Sequence, residues 1–343
     1  MIIVLKSGTS KEQIEKIKHD ITDLGYDPKV IEGVERTIIG AVGDELSHQS
    51  LETLRGMPEV ENVIPIQKRF KLASREYSPH DTVVKIGDWK LGGGNFQTIA
   101  GPCSIESEEQ MDTVASDLSA AGIRILRGGA FKPRTSPYDF QGLGKKGLDI
   151  LQNIKDKYNM AIVTEVMGIP EIKDAAMVAD MIQIGARNCQ NYHLLKEVAQ
   201  VGRPVLLKRG MATKTEEWLA AAEYLLTNGC DDVVLCERGI RTFETATRNT
   251  MDVSGIALAR QWSHLPVIAD PSHAAGIQHL VLPLSCAAIG AGADGLIIEV
   301  HPDPIHALSD APQQMQSGTF RQTLDQLEPF IKAAGKHMIS LNN

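Results

Sequence analysis

The chain has 343 residues, 43% hydrophobic and 23% charged, with a formal net charge of -8. That is enough for one large domain, or for a large and a small one. No apolar run approaches the roughly eighteen residues of a transmembrane helix, and the opening MIIVLKSGTSKEQ holds too short an apolar stretch for a signal peptide, so a membrane is not an expected partner. The acidic balance argues against a protein that coats nucleic acid. Five cysteines (Cys103, Cys189, Cys230, Cys236 and Cys286), odd in number and without CxxC spacing, predict free thiols in a reducing cytoplasm.

Residues 1–66 read as β-α-β-β-α-β, with strand-like runs at 2–5, 29–31, 37–42 and 63–66. The first helix is expected to start at Thr9 or Ser10, with Glu12 or Gln13 three residues on as a capping box, and to bury Ile14, Ile17, Ile21 and Leu24. A second helix is expected over 44–55. This is the order of a ferredoxin-like module. Such modules bind amino acids, pair with one another or bind RNA, and these strands lack the aromatic residues on which RNA bases stack. Residues 67–81 are polar without a clean period and are expected to form a linker. Residues 82–94 offer two short strands, TVVKIG and WKLGG, as a hairpin attached to the next domain.

From residue 95 the pattern becomes regular. Short apolar runs at 96–100, 123–126, 161–164, 181–184, 205–207, 233–236, 267–269 and 295–298 alternate with helical stretches such as 108–121, 215–226 and 282–291. Eight such units predict a (β/α)8 TIM barrel over 82–343. An open doubly wound sheet is the rival, and its dinucleotide-binding form is removed because no GxGxxG follows the first strand.

In a barrel the C-terminal strand ends build the active face. Here those ends are polar or charged throughout: Gly101-Pro102-Cys103, Arg127, Glu165, Gly185-Ala186-Arg187-Asn188, Lys208-Arg209, Glu237-Arg238, Asp270-Pro271-Ser272-His273, and Glu299 with His301. The loop after the second strand, within LRGGAFKPRTSPYDFQGLG (126–144), adds Lys132 and Arg134 beside the hydroxyls of Thr135 and Ser136. Cys103, His273 and Glu299, joined by Asp310 from the loop after the last strand, form a mixed sulfur, nitrogen and oxygen donor set. Such a set suits Mn²⁺, Fe²⁺, Co²⁺ or Zn²⁺ better than Mg²⁺. Arg127, Lys132, Arg134, Arg187, Lys208 and Arg238 exceed what one phosphate needs and suit two anionic substrates.

The motifs GPCSIES (101–107), KPRTSPYDFQGLG (132–144), IGARN (184–188), LLKRG (206–210), CERGIRTFE (236–244), DPSHAAG (270–276) and IIEVHPDPIHALSD (297–310) resemble those of 3-deoxy-D-arabino-heptulosonate 7-phosphate (DAHP) synthases of the type I-beta group, over essentially the whole barrel. Residues 1–66 resemble the ferredoxin-like (ACT-like) regulatory extension that some members carry. The resemblance implies condensation of phosphoenolpyruvate with erythrose 4-phosphate to DAHP and phosphate, the first step of the shikimate pathway. It assigns Cys103, His273, Glu299 and Asp310 to the divalent metal. Arg127, Lys132, Arg187, Lys208 and Arg238 go to the phosphoenolpyruvate phosphate and carboxylate, and Arg134 and Thr135, with Ser136 beside them, to the erythrose phosphate end. Lys132 is expected to give a proton to the aldehyde oxygen, and a metal-bound water near Glu165 is expected to attack C2.

Two other readings compete with this one. The sister 3-deoxy-D-manno-octulosonate 8-phosphate (KDO8P) synthases, which use arabinose 5-phosphate, resemble KANRTS where this chain has KPRTS, and their metal-free members have Asn at the position of Cys103. A non-catalytic amino-acid sensor would not need the full ligand set. Resemblance also implies feedback by tyrosine or phenylalanine bound between paired N-terminal modules, and a homotetramer. The pattern departs from the family after Asp310, where Ala311-Pro312 stands in place of the usual Gly. Cys189 reads as a packed thiol, His301 as either a partner of the ligand set or a rim residue, and His193 and His306 as solvated surface.

Overall fold

The computed structural model describes every residue except 34–35, 44–49, 65–68, 133–135 and 339–343, and the chain divides into two units, Met1–Arg69 and Phe70–Asn343. In the first, strands β1 (Ile2–Leu5), β2 (Asp27–Glu32), β3 (Thr37–Val42) and β4 (Val60–Ile64) form a sheet in the order β2-β3-β1-β4. Both partners of β1 run antiparallel to it, with Ile3 opposite Ile39 and Val63. Side chains alternate between sheet faces, so Ile3, Leu5, Ile39, Ala41 and Val63 share a core with Ile14, Ile17 and Ile21 of helix α1 (Lys11–Asp23). Each buried aliphatic side chain there is worth about 1.5–3 kcal/mol. The capping box forms with Ser10 as cap: its hydroxyl accepts from Gln13 N at 3.3 Å while Ser10 N donates to Gln13 Oε1 at 2.9 Å. The helix expected over 44–55 differs. Residues 44–49 lie outside the described residues, and the rest is a 3-10 turn, Leu51–Gly56, which buries Leu51 and Leu54.

The second unit begins inside the stretch that reads as a linker. From Phe70 onward that stretch is fastened to the barrel. Phe70 and Ala73 are buried, and Leu72 N and Ala73 N donate to the Glu223 carboxylate, both at 2.9 Å. Arg75 pairs with Asp81 at 2.6 Å and donates to the carbonyls of Arg260 and Ser263. The polar residues that suggest solvation make these bonds instead.

Hairpin strands β5 (Val84–Ile86) and β6 (Trp89–Leu91) precede eight parallel strands: β7 (Asn95–Gly101), β8 (Ile125–Arg127), β9 (Ala161–Val166), β10 (Met181–Ile184), β11 (Val205–Lys208), β12 (Val233–Glu237), β13 (Val267–Ala269) and β14 (Gly295–His301). Neighbours pair in chain order, and β14 pairs with β7 from Gly295 opposite Gln97 to Glu299 opposite Gly101, which closes the barrel. Helices α2 (Glu108–Ala120), α3 (Lys145–Tyr158), α4 (Ile169–Val178), α5 (Tyr192–Ala199), α6 (Thr215–Thr227), α7 (Val253–Trp262), the short α8 (Pro271–Ala275), α9 (Val281–Gly290) and α10 (Phe320–Ala333) lie between and after the strands. Among the described residues, no helix is long and apolar enough to cross a membrane.

The strand alternation builds the site. One apolar cluster joins Ile99, Ile125, Val163, Met181, Leu206, Cys236, Ile268 and Ile297, one or two from each barrel strand, with Val84, Ile86 and Leu91 of the hairpin. These are the inward positions, and the hairpin plugs the N-terminal end. Two residues further along, on the same inward face, come Gly101, Arg127, Glu165, Gln183, Lys208, Arg238, Asp270 and Glu299. An apolar floor therefore gives way within one residue pair per strand to a polar, charged layer.

Candidate active site

A cavity of about 550 Å³ opens at this end of the barrel, and its lining includes six cations (Lys132, Arg187, Lys208, Arg238, Arg241 and Arg248) with Asp139, Glu165, His273 and Asp310. Arg238 is buried, and its Nη1 has no hydrogen-bond partner among the described residues. Burial, set against the attraction of Asp270, holds the Arg238 guanidinium below its ordinary range. An unpaired buried donor of this kind costs stability and favours an anion. Lys208, also buried, lies 2.5 Å from Asp270 Oδ2. Burial alone would raise the Asp270 carboxyl, but His273 and Lys208 hold it well below the usual carboxylate range.

Of the four donors read from the sequence, His273 and Asp310 line the cavity, and Cys103 and Glu299 stand beside them. The ligand atoms of Cys103, Glu299 and Asp310 all lie within 4.8 Å of one another. His273 Nε2 stands 3.6 Å from both Glu299 Oε1 and Asp310 Oδ2, and Cys103 Sγ stands 3.4 Å from Asp310 Oδ2. Bonds of about 2.0–2.3 Å to a shared ion put neighbouring ligand atoms roughly 3–3.5 Å apart, so the set fits one divalent cation after small adjustments. His273 Nδ1 is 2.8 Å from Asp270 Oδ2, off the hydrogen-bond line, which turns Nε2 toward the carboxylates. Asp270 also caps α8, accepting from His273 N at 2.9 Å. Burial and the nearby Glu299 push the Cys103 thiol up to about 12, so without an ion it carries its proton and a bound cation would displace it. Asp310 shows the reverse: burial opposes its charge, but His273, Arg248 and Lys132 outweigh that and hold it below the usual carboxylate range.

The cations touch this cluster. Arg127 Nη1 donates to Glu299 Oε1 at 2.8 Å. Lys132 Nζ donates to Cys103 O at 2.9 Å and Sγ at 3.0 Å. Burial works against the Lys132 charge, yet the Glu165 and Glu299 carboxylates help keep it above its ordinary range. Gln183 Nε2 donates to Glu165 Oε2 at 2.8 Å, and Gly185 leaves room for that carboxylate, since a Cβ there would overlap Glu165 Oε1.

Arg134 and Thr135 lie outside the described residues. Ser136 Oγ accepts from Tyr138 N at 3.3 Å and does not line the cavity. Cys189 is buried in the layer between strands and helices, where burial pushes its thiol up to about 11. His301 is a partner of the loop: Nδ1 accepts from Asp303 N at 3.0 Å and Nε2 lies 3.4 Å from Glu106 Oε2, while Glu106 Oε1 accepts from Leu308 N. His193 is exposed, and His306 is an exposed partner of Asp303. Sequence reasoning missed Gln183, Arg241, Arg248 and Gln313. The first sits two residues after Met181 on an inward face, a signal that could have found it. The other three come from long loops without periodicity.

These features define a TIM barrel whose C-terminal end carries a cation-lined cavity beside a donor set able to hold a divalent cation. Residues 74–333 match the DAHP synthetase I family, and residues 1–68 match the DAHP synthase ferredoxin-like domain. The chain belongs to the DAHP synthetase I family and is an enzyme of that type. It is 47% identical over 335 residues to a phospho-2-dehydro-3-deoxyheptonate aldolase of Thermotoga maritima, covering 98% of this chain and 99% of the relative. A crystal structure of DAHP synthase from that organism superposes with a TM-score of 0.94 at 46% identity, over 98% of this chain and 99% of the other. A 2-dehydro-3-deoxyphosphooctonate aldolase of Fusobacterium nucleatum is 32% identical, covering 73% of this chain and 94% of its own.

Proposed function

We propose that the chain condenses phosphoenolpyruvate with D-erythrose 4-phosphate, giving DAHP and inorganic phosphate, in a divalent-metal-dependent reaction. The observation that carries this reading is one cavity joining six cations to the Cys103, His273, Glu299 and Asp310 donor set. Those four residues would hold Mn²⁺, Fe²⁺, Co²⁺ or Zn²⁺, which when bound supplies Lewis-acid polarisation of the sugar aldehyde.

The remaining steps belong to the chain's own groups. Arg127, Arg187, Lys208 and Arg238, with Lys132, bind the carboxylate and phosphate of phosphoenolpyruvate and aim its C3 at the aldehyde carbon. As the C–C bond forms, the Lys132 ammonium gives its proton to the aldehyde oxygen. Glu165, held by Gln183, takes a proton from the water that adds at C2. The C2–O bond then breaks and phosphate leaves. Arg134 and Thr135 bind the phosphate end of the sugar. The N-terminal module binds tyrosine or phenylalanine as a feedback signal, and the enzyme works in the cytoplasm as a homotetramer.

The test is phosphate release from phosphoenolpyruvate with erythrose 4-phosphate or arabinose 5-phosphate. Turnover with the four-carbon sugar alone is expected. A preference for the five-carbon sugar would move the chain to the chemistry of the octulosonate relatives.

A further inference from the structure

Gln313 is almost fully buried, and its amide is committed at both ends. Its Oε1 accepts from Arg248 Nη1 at 2.8 Å, on the cavity side. That fixes Nε2 as the donor toward the cluster, where it reaches Glu299 Oε2 at 2.6 Å and Asp310 Oδ2 at 3.4 Å. With Arg127 on Oε1, each oxygen of Glu299 carries one donor, so the carboxylate cannot rotate. Asp310 has a left-handed backbone, φ 50°, which a non-glycine residue keeps only when its surroundings insist. Gln313 supplies part of that insistence twice over, because its backbone N also donates to Asp310 O at 3.2 Å. The three-residue turn Ala311–Gln313 thus folds its last side chain back onto the residue that starts it.

We propose that Gln313 is a positioning residue for the divalent-cation site, orienting the Glu299 and Asp310 carboxylates, with Arg248 holding its amide in register. The inference rests on the reading of that site given above. Partners of metal ligands change affinity by about 10–100-fold when removed, and a loss in that range is expected for Gln313→Met, which keeps the volume and deletes the donor.

The experiment titrates metal-stripped full-length protein with Co²⁺ alone, following the ligand-field and thiolate-to-cobalt absorption bands and competing with a chelator. Gln313→Ala is the second variant, because the space it opens admits a water able to donate to Glu299. Orientation by hydrogen bonding predicts weaker Co²⁺ binding for both, with Met worse than Ala and an altered ligand-field band at saturation. A purely structural role predicts the opposite order, since Ala opens a cavity and Met does not, and that order would overturn the proposal. Wild-type binding with the thiolate band, together with variants that bind within about twofold, would overturn this inference alone. Absence of stoichiometric binding by the wild type would overturn the site reading and this inference with it.

Discussion

Replacing Gly185 by alanine adds one methyl group beside the proposed base. The backbone permits it: Gly185 has φ -69° and ψ 159°, which any residue adopts. At such a position Gly→Ala ordinarily stabilises by about 0.4–1 kcal/mol through the unfolded chain. Here the new Cβ would overlap Glu165 Oε1, so the carboxylate must swing away and lose its 2.8 Å bond from Gln183. Overpacking of this kind costs about 1–3 kcal/mol, and a reacting group misplaced by about 1 Å costs on the order of a hundredfold in rate. Unfolding can be followed by tryptophan fluorescence, because Trp89, Trp218 and Trp262 all lie in the barrel unit and report on it alone. The expected outcome is a destabilised barrel with kcat lowered by about a hundredfold and a smaller change in KM for phosphoenolpyruvate. Adding Glu165→Ala should restore the stability but not the rate, because the clash is gone and so is the base. A Gly185→Ala variant with wild-type stability and kcat would refute both the steric argument and the role given to Glu165.

Other outcomes follow from the buried charges. Asp270→Asn leaves Lys208 buried without its counter-charge, and unfolding titrations should show a loss of about 3–5 kcal/mol. Arg238→Met removes a buried guanidinium with an unpartnered Nη1. Its unfolding free energy should stay level or rise, by up to about 2 kcal/mol, while KM for phosphoenolpyruvate rises about tenfold or more, since one charge-assisted bond to an anion is lost. At the opposite end of the barrel, Lys336 Nζ donates to Gly292 O, Ala293 O and Asp294 Oδ1 at 2.6–2.8 Å. Lys336→Met should cost about 3 kcal/mol in stability and leave kcat unchanged.

Much of this architecture is written in short-range pattern. The eight apolar runs mark the barrel strands because a strand buried on both faces must be apolar on both. Their ends mark the site because the inward face changes from Ile125 to Arg127, from Leu206 to Lys208 and from Ile297 to Glu299 within two residues. Long-range returns of the chain are not legible in this way. Nothing in the composition of 67–81 says that Arg75 meets Ser263 O or that the backbone at Leu72 and Ala73 meets Glu223, since partners far apart in sequence leave no local period. The same holds for Arg248, an ordinary polar residue on a loop that only the closed barrel brings to Gln313 and Asp310. The helix expected over 44–55 meets a 3-10 turn at Leu51–Gly56, a short tight form that sequence pattern does not separate from one turn of α-helix.

The central claim is that the Cys103 cluster and the cation-lined cavity form one metal-dependent site for joining phosphoenolpyruvate to a sugar phosphate. Its most direct test is phosphate release from phosphoenolpyruvate and erythrose 4-phosphate by chelator-stripped enzyme, before and after Mn²⁺, with Cys103→Ala alongside. Negligible turnover is expected when stripped, with recovery on adding Mn²⁺ and, for the variant, a requirement for more Mn²⁺. Full turnover by stripped enzyme, unaffected by Mn²⁺ or by loss of Cys103, would contradict it.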